Sequence, residues 1–192
     1  MKTFAAVMVT LLIACRSPLC ADTALAWIDW HHEGDYSSTT LAYFTDNNAE
    51  FWAHCLDSDS PSYEAGQFWT STVLDISFYA GGYLAWAPKQ GELFLEPFVI
   101  AQKKLSDLTL KTCQGVYLPL NGGGTTWFSG DTSAMLDIND KFSLGIGGHW
   151  WGENAHFGPE VVAKCGSITY QIRVCPWGDA GTTNQARIYY GF

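Results

Sequence analysis

The chain has 192 residues, enough for one domain with a sizeable core and too few to suggest a second of full size. Its formal charge of −9, from nineteen acids against ten lysines and arginines, repels phosphate backbones and argues against nucleic acid as a partner. With 15% charged residues, 15% aromatics and nineteen glycines, the composition does not fit a disordered chain or a helical bundle; it suits an all-β protein.

The N-terminus reads as an export signal. Lys2 supplies a positive charge, and the apolar run from Phe4 to Ala14 is too short to span a bilayer as a helix but has the length of a signal-peptide core. Leu19-Cys20-Ala21 is the preferred cleavage site, with Ala24-Leu25-Ala26 as a second; residues 1–21 are then a signal peptide and 22–192 a single domain. Leu12-Ile13-Ala14-Cys15 also resembles a lipobox, whose cysteine would carry lipid, and a buried N-terminal helix is the competing reading. In an oxidising compartment Cys55, Cys113, Cys165 and Cys175 would form at least one disulfide; three pairings are open, and buried thiols are the alternative. No CxxC occurs, so a zinc ribbon is unsupported.

Beyond residue 26 no 3.6-residue apolar period persists, whereas period-2 alternation recurs between Gly, Asn and Asp clusters. Strands are expected over 25–33, 38–45 and 49–56. The next runs from Leu74 to Trp86, with Asp75, Ser77, Tyr79, Gly81 and Tyr83 on its polar face. Leu93, Leu95, Pro97 and Val99 then oppose Glu92, Phe94, Glu96 and Phe98. Further strands are expected over 108–118 and 126–138, over Phe142 to Trp150, over 157–164, over Ile168 to Val174, and from Ala186 to Phe192. Connections such as Asn139-Asp140-Lys141 are short enough for hairpins, which implies an up-and-down meander.

A soluble sandwich turns the apolar face of such a meander inward, and a membrane barrel turns it to lipid. Three features favour the barrel. The polar faces balance Asp75, Glu92, Glu96 and Glu160 against Lys111, Lys164, Arg173 and Arg187, as a lumen closed by ion pairs would. Trp and Tyr flank the apolar runs, as residues at a membrane interface do. Finally, alternation continues through Ile188 and Tyr190 to a terminal Phe192, a hazard on an open edge and harmless where the strand closes a ring. That ending resembles the C-terminal signature of bacterial outer-membrane β-barrel proteins.

The resemblance implies a closed antiparallel up-and-down transmembrane β-barrel in the outer membrane of a Gram-negative bacterium, monomeric and surrounded by lipid. Ile188, Tyr190 and Phe192 would then be read by the barrel-assembly machinery. At about 18 residues per strand plus connection, the exported part gives roughly eight to ten strands. If the last strand ends in the periplasm, the 119–125, 152–156 and 175–184 connections lie outside.

Chemistry-bearing residues are sparse. His149, Trp150, Trp151, Glu153 and His156 run through one hairpin towards Glu160. His149 and Glu160 are the candidate acid/base pair; Trp150, Trp151, Glu153 and His156 are candidate binding residues; hydrogen-bonded lumen groups are the plainer reading. Ser143 lies six residues from His149, about 20 Å at ~3.3 Å per residue, so it cannot serve that histidine as a nucleophile. His31 and His32 point to opposite faces, His54 is isolated, and the loop around Asp57, Asp59 and Glu64 does not match an EF-hand. Asn121-Gly122-Gly123-Gly124 lacks the remainder of a phosphate loop. No cofactor and no metal are called for. A structural, surface-interacting or narrow-channel role is expected, with no catalysis required. A lipid-modifying barrel enzyme and a secreted glycan-binding β-sandwich are the alternatives.

Overall fold

The structure, a computed structural model, describes residues 23–31, 36–45, 48–56, 61–122, 124–178 and 183–191. The expected signal peptide, with Cys15, and His32 and Phe192 lie outside the described residues. The described chain is all strand and turn: β1 (Thr23–His31), β2 (Tyr36–Phe44), β3 (Ala49–His54), β4 (Ser62–Val73), β5 (Ile76–Ala87), β6 (Glu92–Leu105), β7 (Leu108–Pro119), β8 (Trp127–Asn139), β9 (Phe142–Trp151), β10 (Asn154–Cys165), β11 (Ile168–Cys175), β12 (Trp177–Gly178) and β13 (Thr183–Gly191).

Each strand from β1 to β10 pairs antiparallel with the next, and β13 pairs with both β11 and β1, so one sheet closes on itself. The short β12 continues β11 past Pro176: Glu160 pairs with Arg173, while Phe157 pairs with Trp177 across one extra residue. Proline cannot donate to the ladder, which is why the bulge falls there. The result is a twelve-strand antiparallel barrel with one added short strand. No second sheet exists among the described residues to make a sandwich.

The closed up-and-down barrel agrees with the sequence reading, but twelve strands replace the expected eight to ten. Turns are tighter than the arithmetic allowed: Val73 to Ile76, Leu105 to Leu108 and Cys165 to Ile168 each leave only two residues between strands. The strand that went unread is β4. Gln67 and Ser71 break its lipid-facing alternation, and Glu64 is a strand residue facing inward, not part of an acidic loop. Leu74 and Asp75, read as strand, are the turn between β4 and β5. Both have positive φ (52° and 60°), the backbone of a type I′ hairpin turn.

The faces are those of a membrane barrel. Leu84, Leu95, Leu144, Ile146 and Ile172 are exposed on the outside, while their chain neighbours Ala85, Glu96, Ser143 and Arg173 are buried inside. No two of the four described cysteines stand at disulfide distance, which corrects the expected bridge. Cys165 ends β10 and Cys175 ends the antiparallel β11, so the two stand towards opposite rims; Cys113 sits mid-strand on β7.

Candidate functional site: the barrel interior

One side of the interior is an arginine–carboxylate network. Register places Glu160 beside Arg173, and Arg173 beside Gln185, on three adjacent strands. Arg173, 1% exposed, donates through Nε to Glu160 Oε2 at 2.7 Å, and through both terminal nitrogens to Asp131 at 2.7 and 3.1 Å. Arg187 donates to the same Asp131 at 2.8 Å. Gln171 satisfies Glu160 Oε1 at 2.6 Å and in turn accepts from Tyr189 at 2.8 Å. Asp131 stands on β8 and Arg187 on β13, with β9, β10 and β11 between them, so this pair crosses the interior as a chord. Two arginines face two carboxylates, and such charge-assisted bidentate contacts are the strong kind. Space comes from Gly147: a Cβ there would overlap the Glu160 carboxylate and the Arg173 guanidinium.

The other side is built from glutamates, tyrosines and stacked rings. Glu50 pairs with Gly66, Gly66 with Tyr83, and Tyr83 with Glu96. The flanking pairs Leu95–Leu118 and Phe98–Gly115 set Glu96 opposite Tyr117, which pairs with Trp127. Gly66 lets the Tyr83 ring lie flat across it and donate its hydroxyl to Glu50. Trp52 Nε1 donates to the same carboxylate at 3.0 Å. Tyr117 donates to Glu64 at 2.9 Å, and His54 Nε2 lies 3.3 Å from Glu64. Glu96 Oε2 is buried with no hydrogen-bond partner. The Tyr117 and Trp127 rings stack at 3.5 Å between centroids, and Trp151 continues the stack 3.8 Å from Trp127.

The residues singled out in the sequence are dispersed by this geometry. His149 faces inward, but its register partner is His156, whose ring stacks on it at 5.0 Å. Glu160 pairs with Gly145, four residues further along the strand, about 13 Å away at ~3.3 Å per residue, and is committed to Arg173. His149 instead receives a hydrogen bond from the Gln185 amide at 3.1 Å. Trp151 points inward into the aromatic stack, whereas Trp150 points out and covers Gly130 on β8. Glu153 lies exposed in the turn. Ser143 faces inward and donates to Asp137 at 2.7 Å. Ile188 and Tyr190 sit on β13, paired to Ala26 and Ala24 of β1. No group of His, Cys, Asp or Glu suited to a metal ion occurs among the described residues.

Asp131, Glu50, Tyr83, Tyr117 and Trp127 were not singled out as a group in the sequence. Their inward parity was available; their convergence was not, because it depends on which distant strands face each other across the ring.

These features define the class: the fold is that of the bacterial outer-membrane β-barrel proteins, with an apolar exterior and a charged interior. Among solved structures, the chain is similar to the KdgM porin in complex with disordered oligogalacturonate, at 11% identity and TM-score 0.69, covering 88% of this chain and 99% of that one. A second structure of the KdgM porin matches at 10% identity and TM-score 0.66, covering 88% and 99%. No protein-family model and no curated protein matches the sequence.

Proposed function

We propose that the chain forms a narrow channel for polar solutes in the bacterial outer membrane. The observation that supports it is a charged, hydrogen-bonding interior inside a ring of twelve strands. Side chains fill an eight-strand barrel, and wide aqueous pores need 16–18 strands, so twelve suit a passage constricted by the side chains that line it. The Asp131–Arg187 chord is such a constriction. The KdgM porin was solved with an oligogalacturonate, so elongated, hydroxyl-rich solutes are a first class to test.

Purified protein added to a planar lipid bilayer should give discrete conductance steps well below those of a general porin. Absence of steps from barrels shown to be inserted would defeat the channel reading and leave a structural role. The export reading has its own test. Deletion of Phe192 should lower the folded, heat-modifiable fraction in outer membranes several-fold, through loss of the terminal signal; wild-type insertion of the truncation would count against recognition by the assembly machinery.

A further inference from the structure

The two sides of the interior differ in charge balance. On the β8–β13 side each carboxylate meets an arginine, but Glu50 and Glu96 meet no lysine or arginine among the described residues. His54 stands beside Glu64 and is the only basic side chain ion-paired there among the described residues. The hydrogen-bond donors present reach Glu50 (from Tyr83 and Trp52) and Glu64 (from Tyr117), and Glu96 stands within hydrogen-bonding reach of both Tyr117 and the Glu64 carboxyl. Glu96 is 6% exposed, and its Oε2 is left with no donor. A buried carboxylate oxygen without a donor is costly, and a cluster of three carboxylates favours a donor that brings positive charge. Tyr117 joins this cluster to the Trp127–Trp151 rings on which it stacks, with Trp151 54% exposed. Aromatic faces attract organic cations through the ring quadrupole, and they do so best when water is excluded.

We propose that Glu64, Glu96 and the Tyr117–Trp127–Trp151 stack form a binding site for organic cations bearing primary ammonium groups. An ammonium group would donate to Glu96 Oε2 and neutralise the cluster, while the alkyl or ring carbons next to it would lie along the stacked rings. This assignment rests on the channel reading for its biological sense, since it names the solute class that the passage would favour. It makes this interior unsuited to an acidic sugar chain, which the glutamates would repel.

The test is calorimetric titration of spermidine into the folded barrel in neutral detergent at physiological salt, with digalacturonate titrated in parallel. Spermidine should bind, and digalacturonate should not. Glu64→Gln with Glu96→Gln should weaken spermidine at least tenfold, and Trp127→Ala several-fold. Lys104→Ala, which removes only a rim ion pair with Asp137, should leave binding unchanged. Heat-modifiable gel mobility certifies each variant as folded; if the double variant does not fold, Glu96→Gln alone carries the comparison.

No spermidine binding by the wild-type barrel, equal binding by the glutamine variants, or stronger binding of digalacturonate would each overturn the assignment. Bilayer conductance separates this inference from the channel reading. A barrel that conducts without binding spermidine refutes only the ammonium site. One that binds spermidine without conducting refutes only the channel.

Discussion

Replacing Arg173 with alanine should destabilise the barrel by about 3–5 kcal/mol, the usual cost of removing one partner from a buried ion pair. The change leaves Glu160 buried with only Gln171 as a donor, and leaves Asp131 with Arg187 alone. Urea unfolding in lipid vesicles, followed by tryptophan emission or by heat-modifiable mobility, reads the loss directly. A companion variant, Arg173→Met with Glu160→Leu, should recover much of it, because exchanging a whole buried pair for apolar groups is far less costly than orphaning one charge. If Arg173→Ala unfolds at the wild-type midpoint, the network contributes nothing and the interior must be wetter than its burial indicates.

Replacing Ile146 with arginine should cost about 2–4 kcal/mol, the penalty for a cation at the lipid-facing midplane of a barrel. Ile146 sits mid-strand on β9 and is 57% exposed. On a water-soluble protein an exposed position of this kind would tolerate arginine to within about 0.5 kcal/mol. Leu74→Arg is the internal control: Leu74 is 84% exposed but lies in a rim turn, where a charge should be nearly neutral. Equal effects at the two positions would remove the membrane orientation of the outer face. A large effect at 146 with none at 74 would map the bilayer onto the strands.

Much of the fold was legible because a β-strand alternates its faces with period two, and each alternating segment declares its inward and outward residues without reference to any other. Glu96, Glu160, Arg173 and Arg187 were all placed on the polar face by parity alone, and all four are buried inside. The strand β4 was illegible for the same reason in reverse: Gln67 and Ser71 on its outer face mute the alternation, and losing that strand also misassigned Glu64 to a loop.

Partnerships across the ring depend on strand count and stagger, which local pattern does not encode. His149 and Glu160 shared a hairpin and a face, yet the register joins His149 to His156 and sends Glu160 to the next strand. Asp131 meets Arg187 only because three strands curve the wall between them.

The seam between β13 and β1 joins Thr23 to Gly191, and with it the two ends of the described chain. Every other barrel pairing, apart from those of β11 with β13 and of β10 with the short β12, is between consecutive strands and can form as a local hairpin at little cost in loop entropy. The seam cannot form until both ends are present together, so it is the slow and final event in folding, as expected for contacts between distant parts of a chain. Up to that moment the sheet has two unsatisfied edges, which cannot rest in hydrocarbon. Completion is therefore self-checking: a chain interrupted anywhere short of β13 has no partner for β1 and leaves both edges of the sheet open.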